Sequence, residues 1–130
     1  MVETRSTLRI PARAAYVGTA RIFAAAVARQ AGMGEEHVDD LKLAISEACA
    51  AGVRDDGDGS IVIHADLDGS AVSFEVSGQD IPPPPSDDLV STPESFRRSI
   101  GYDVIRSLFP DASLPSKGSA AIRFSVSDES

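Results

Sequence analysis

The sequence predicts an α+β domain built as a two-layer sandwich, with helices on one face of a mixed sheet. Three observations point there. Apolar residues recur at helical spacing over 14–31, 35–53 and 96–109. They alternate with polar residues over 61–67, 72–76 and 120–126. The strand-like runs also fall in hairpin pairs, not in strand–helix–strand repeats. The chain has 130 residues, which suits one domain over 1–130. Leu, Ile, Val and Phe make up about a quarter of it, enough for a true core.

Each element has its own warrant. Thr7-Leu8-Arg9-Ile10 alternates and then meets Pro11, which suits a short edge strand. Tyr16, Ala20, Phe23, Val27 and Ala31 recur at three- and four-residue steps and mark a first helix. Gly32 and Gly34 end it. Glu35 and Glu36 open a second helix, where the helix dipole favours carboxylates, and Val38, Leu41, Ile45 and Ala48 form its buried stripe to about Val53. Asp55-Asp56-Gly57-Asp58-Gly59 reads as a turn. Its aspartates resemble half a calcium loop, but no Glu stands at the twelfth position.

Ile61, Ile63, Ala65 and Leu67 alternate as a strand, and Val72, Phe74 and Val76 return from it. Asp68-Gly69 supplies a two-residue turn with both positions at positive φ. Residues 78–96 form a proline-rich loop, because Pro82–Pro85 favours polyproline II and cannot be a central strand or helix. Phe96–Phe109 is a third helix with Ile100, Val104, Ile105 and Leu108 on its apolar side. A final hairpin joins Ala112-Ser113-Leu114 to Ala120–Val126 around Lys117-Gly118.

Composition excludes several functions. Net charge is −8, so the chain lacks the basic footprint of direct nucleic-acid binding. The sign is uneven, however. Residues 1–34 carry five arginines against Glu3, a net +4, and the rest of the chain carries −12. A basic first segment suits an acidic protein partner. Cys49 is the only cysteine, which excludes a disulfide scaffold and zinc held by paired cysteines. Cys49, His37 and His64 sit on separate elements without a nucleophile motif. They read as a buried thiol and two surface imidazoles. No apolar run reaches the roughly 18–20 residues of a membrane span. Residues 1–10 lack a signal-peptide core, so no membrane contact and a cytoplasmic location are expected.

Leu8-Arg9-Ile10-Pro11-Ala12 and Leu41-Lys42-Leu43-Ala44-Ile45-Ser46-Glu47-Ala48-Cys49 resemble the bacterial anti-sigma factor/serine kinase family, whose fold is the histidine-kinase-like (GHKL) ATPase. The element order matches from Leu8 to Val126. In that family the second helix carries Glu-x-x-x-Asn, with the Glu orienting or deprotonating the attacking group and the Asn holding Mg²⁺. Glu47 matches the Glu, but Ala51 stands at the Asn and has no lone pair for a metal. The family's Asp-x-Gly-x-Gly, whose Asp accepts the adenine amino proton, corresponds to Gly78-Gln79-Asp80-Ile81-Pro82. Gly78 replaces the Asp, and Asp80 replaces the first glycine. Its phosphate-cradling Gly-x-Gly reads Ser99-Ile100-Gly101-Tyr102, with one glycine kept.

The resemblance implies an anti-sigma factor that sequesters an RNA polymerase sigma factor without kinase activity. No catalytic residue, metal or cofactor is expected, and the substitutions argue against ATP and Mg²⁺. Glu47, Asp80 and Gly101 are the remnant nucleotide-binding constellation and become catalytic machinery only under a second reading, an active serine kinase with a rearranged site. A third reading is a ligand-sensing domain that reuses the vacated pocket. The family's partner face includes the first helix, so Arg21 is the leading partner-binding residue, followed by Arg13 and Arg29. Implied partners are a sigma factor and an anti-anti-sigma protein of the STAS type, and a homodimer is compatible with the family. The proline-rich loop stands in place of the ATP lid.

Overall fold

Alternation of apolar and polar residues drives four strands into one sheet. A computed structural model describes residues 4–54, 56–78, 81–83, 93–116 and 121–127, apart from the side chains at 94 and 95. Strands β1 (Thr4–Pro11), β2 (Ser60–Asp68), β3 (Ala71–Gly78) and β4 (Ala121–Ser127) lie in that order. Leu8 pairs with Ile63, Ile63 with Val76 and Val76 with Ile122, and all three ladders are antiparallel. The α+β class stands, but the sheet is antiparallel and not mixed. The connection from β1 explains why. Two consecutive helices return the chain to the end of β1 it had left, where Arg54 N–H donates to the Ala12 carbonyl (3.0 Å) and Ala12 N–H to the Gly59 carbonyl (3.1 Å). A parallel neighbour needs a single crossover instead.

One face of the sheet is core and the other is wet. Ile10, Ile61, Ile63, Val72, Phe74, Val76, Ile122 and Phe124 are buried beneath the helices. The opposite face carries polar pairs at directly facing positions. Arg5 meets Asp66 in two-point fashion (2.7 and 2.9 Å) and Arg123 meets Glu75 at 2.6 Å. Thr7 bonds His64 at 2.9 Å and Ser73 bonds Ser125 at 3.0 Å. Such cross-strand pairs hold register on a face that no described element covers.

The β2–β3 turn differs from expectation. Asp68 pairs with Ala71, so Gly69 and Ser70 are the central residues, and only Gly69 has positive φ (64°). That is the type II′ pattern, in which glycine takes the first central position.

Helix α1 (Val17–Gln30) follows a single 3₁₀ turn at Ala14–Tyr16. Then come α2 (Glu35–Ala51) and α3 (Pro93–Leu108). α2 is central and packs against both others. α1 buries Ala20, Ala24, Ala25, Val27 and Ala28, while Tyr16 is exposed and Phe23 half-buried. The buried stripe is therefore mostly methyl groups, which allow close approach of the backbones. Val38, Leu41, Ile45 and Ala48 of α2 are buried as expected.

α3 departs from expectation in two ways. It begins at Pro93, within the expected 78–96 loop, because a first-turn residue needs no N–H partner and proline's fixed φ suits that position. β3 also extends through Gly78. Residues 84–92, with Pro84 and Pro85, lie outside the described residues, as do Gln79, Asp80, Lys117 and Gly118. The buried side of α3 is also rotated. Tyr102 is buried and Ile100 exposed. Tyr102 tolerates burial because its hydroxyl donates to the Pro82 carbonyl, which satisfies its one polar atom.

The expected final hairpin is reduced to one bridge. Ser113 and Arg123 exchange backbone hydrogen bonds (2.8 and 2.9 Å), which places the 112–114 segment along the outer edge of β4. The acidic turn is an ordinary one, since the Asp56 carboxylate accepts the Asp58 N–H at 2.9 Å and pairs with Arg54, and the hydrogen bonds from Arg54 and from the Asp58 N–H hold its carboxyl below the usual range. Asp55 lies outside the described residues.

Burial makes two groups resist ionisation. Desolvation pushes the Cys49 thiol up to about 12 and the Tyr102 phenol up to about 12. A raised folded value means that the folded state keeps its proton when the unfolded chain has lost it, so stability falls as pH rises. Unfolding midpoints in urea are expected to drop between pH 9 and 12, by at most about 1.4 kcal/mol per pH unit for each group. Cys49→Ala should flatten the first part of that decline. An unchanged slope in this variant would refute the assignment to Cys49.

Candidate ligand pocket and partner face

The end of α2, the start of α3 and the entry to α1 surround a cavity of about 430 Å³. Its apolar wall comes from Val17, Ala50, Ala51 and Val53. Its charged groups are Glu47 on α2 with Arg97 and Arg98 on α3. The helical spacing explains the convergence. Glu47 and Ala51 are four apart and share a face, as do Arg97 and Gly101.

Glu47 and Gly101 are brought together. A methyl group at Gly101 would lie only 2.6 Å from a Glu47 carboxylate oxygen, so the carboxylate lies over the glycine where any other residue would push it aside. Gly101 thus serves helix approach as well as any ligand.

Mg²⁺-ATP does not fit these residues. The position four after Glu47 presents the methyl of Ala51 to the cavity. The base end is filled by the chain itself. A Cβ at Gly78 would lie 3.3 Å from Ile81 Cγ1, and one at Gly52 also 3.3 Å from it. Ile81 is 3% exposed and sits against both glycines. The Tyr102–Pro82 hydrogen bond pins the segment next to it. A carboxylate at position 78 would therefore face isoleucine, not an open base site. The expected Asp80 falls outside the described residues.

The three candidate arginines differ in freedom. Arg29 is engaged by Glu35 through two hydrogen bonds (2.9 and 3.2 Å), which raises its own proton affinity and holds the Glu35 carboxyl low. Arg13 Nε donates to the Gly57 carbonyl at 3.4 Å. Arg21 is exposed on α1 next to Ile22, which is 74% exposed.

Sequence reasoning missed four residues. Arg97 and Arg98 directly precede the Ser99-Ile100-Gly101 segment, and their doubling was the available signal. Ile81 and Tyr102 gave none, because their roles depend on contacts between separate elements. Cys49 is buried on α2 with its thiol protonated, consistent with a packing role.

Fold and pocket together define a histidine-kinase-like ATPase scaffold. The profile of the histidine kinase-like ATPase domain matches residues 10–126, and the chain belongs to this family. It is similar to the serine-protein kinase RsbW of Bacillus subtilis (strain 168), 32% identical over 92 residues, covering 58% of this chain and 57% of that protein. It also resembles RsbW of Bacillus pumilus (strain SAFR-032), 37% identical over 63 residues, covering 44% of this chain and 39% of the relative. A third is RsbW of Bacillus cereus (strain AH187), 45% identical over 42 residues, covering 32% and 26%. The matches thus span between about a quarter and about half of these relatives' lengths. No helix among the described residues is long and apolar enough to cross a membrane.

Proposed function

We propose that this chain is an anti-sigma factor that works by binding alone. As one degenerate domain over 1–130, it grips an RNA polymerase sigma factor through the α1 side and occludes surfaces the sigma factor uses for polymerase or promoter contact. A STAS-type anti-anti-sigma protein, competing for an overlapping face, releases it. The setting is the cytoplasm, and the proline-rich segment stands where an ATP lid would close.

The similarity to RsbW supports the binding half. The observation that carries the non-catalytic half is the base end closed by Ile81 over Gly78 and Gly52, with a methyl at the metal position. Phosphoryl transfer depends on positioning and charge neutralisation, and a site without a metal ligand or a base acceptor supplies neither. Without phosphorylation of the antagonist the switch is not reset here, and control passes to protein levels and competition.

The test is direct. Purified protein with Mg²⁺-ATP and a candidate antagonist should transfer no phosphate, and native purification should recover a sigma factor. Glu47→Ala should leave both results unchanged. Phosphotransfer that Glu47→Ala abolishes would establish the kinase reading instead.

A further inference from the structure

We propose that the cavity between α2 and α3 binds a small organic oxyanion bearing a hydroxyl group, without a metal ion and without a base. This deepens the non-catalytic reading and rests on it, because it assumes that Mg²⁺-ATP has been lost from the site.

The charge arrangement selects the ligand. Arg97 and Arg98 stand at the cavity and neither guanidinium makes a hydrogen bond or ion pair with a described residue. Two adjacent guanidiniums offer up to ten N–H donors and a double positive charge, which suits the oxygens of a phosphate or carboxylate. In a metal-dependent site that charge would come from the ion. Here the metal position is the methyl of Ala51, and the guanidiniums supply the positive potential in its place.

The remaining walls narrow the choice. Glu47 adds one carboxylate to the same cavity, and an oxyanion is tolerated beside it only if the ligand also brings a donor. A hydroxyl meets that need. Val17, Ala50 and Val53 offer contact to a carbon skeleton and no hydrogen bonds from their side chains. The volume of about 430 Å³ lies in the range of small-molecule sites. Beyond Ala51 the chain leaves no further room for a base, because Ile81 packs against Gly52 and Gly78 there. An occupant would touch the entry to α1 and the facing ends of α2 and α3, so it should stabilise the fold by mass action.

Isothermal titration calorimetry and thermal melting in EDTA test this with three probes: ribose 5-phosphate, glycerol 3-phosphate and citrate. The expected result is saturable binding at or below about 1 mM for at least one probe, with a rise in melting midpoint. The two phosphates and the hydroxycarboxylate reveal which oxyanion is preferred. Added salt should weaken binding, and the Arg97→Ala/Arg98→Ala variant should lose at least about tenfold in affinity. Arg106→Ala, on the same helix but outside the cavity, should bind as the parent does. Arg97 is exposed and Arg98 half-buried, so both variants should fold, and circular dichroism is the check. No saturable binding of any probe up to about 10 mM overturns the proposal and leaves the sigma-binding reading intact. Affinity undiminished in the double variant overturns it equally. A fourth titration uses ATP with Mg²⁺ and then EDTA. Tight binding that EDTA abolishes would refute the non-catalytic reading itself.

Discussion

Replacing Arg21 by Glu should weaken sigma-factor binding by roughly 2–5 kcal/mol, or about thirtyfold to several thousandfold. The size follows from placement. Arg5 is paired with Asp66 and Arg29 with Glu35, so Arg21 is the arginine of the basic first segment that stands on α1 without an internal carboxylate partner among the described residues. Its side chain is exposed beside Ile22, and no described residue hydrogen-bonds it. The planar guanidinium can therefore pair with a partner carboxylate in two-point fashion without first breaking an internal bond. Charge reversal converts that attraction to repulsion. Arg29→Glu should do less at the interface, because Arg29 is held by Glu35 within the chain. Pull-down or calorimetry with the recovered sigma factor measures both. Equal affinity of Arg21→Glu and the parent would remove Arg21 from the interface.

Phe124→Ala should be the most damaging core truncation, costing about 3–5 kcal/mol of folding stability. Phe124 on β4 stacks with Phe74 on β3 at 5.7 Å and with Phe109 just past α3 at 5.0 Å. Its removal takes away two ring contacts and leaves a cavity where sheet meets helix layer. Against a typical total of 5–15 kcal/mol, that is a large share. It also loosens the C-terminal anchor of α3, the helix that carries Arg97, Arg98 and Gly101 to the pocket. Urea unfolding should show a lower midpoint with an unchanged slope. A loss below about 1 kcal/mol would mean the site collapses fully, contrary to this packing.

Much of the fold was legible in advance because it rests on local periodicity. The α2 stripe of Val38, Leu41, Ile45 and Ala48 is buried as the spacing requires. Ile61, Ile63, Val72, Phe74, Ile122 and Phe124 point inward, as their alternation requires. Where periodicity was ambiguous the reading slipped. α3 carries apolar residues on more than one side, and Tyr102 won the buried position over Ile100 because a hydrogen bond to Pro82 was available from another element. The hairpin turn moved by one residue because the pairing of Asp68 with Ala71 decides which residues are central. The pocket divides likewise. The methyl at Ala51 and the glycine at 78 are visible in the one-dimensional chain, whereas Ile81 closing over Gly78 is not.

By itself the chain's order of residues determined the buried stripe of α2, the inward faces of the strands, the basic first segment, and that Ala51 and Gly78 carry no side-chain lone pair. These are properties of single side chains or of neighbours at fixed spacing, so short-range stereochemistry suffices. Only the tertiary structure decided that the sheet is antiparallel throughout, that Glu47 lies over Gly101, and that two arginines meet an apolar wall in one cavity. Those outcomes depend on how distant segments pack, and packing is settled by the joint fit of volumes and hydrogen bonds across elements.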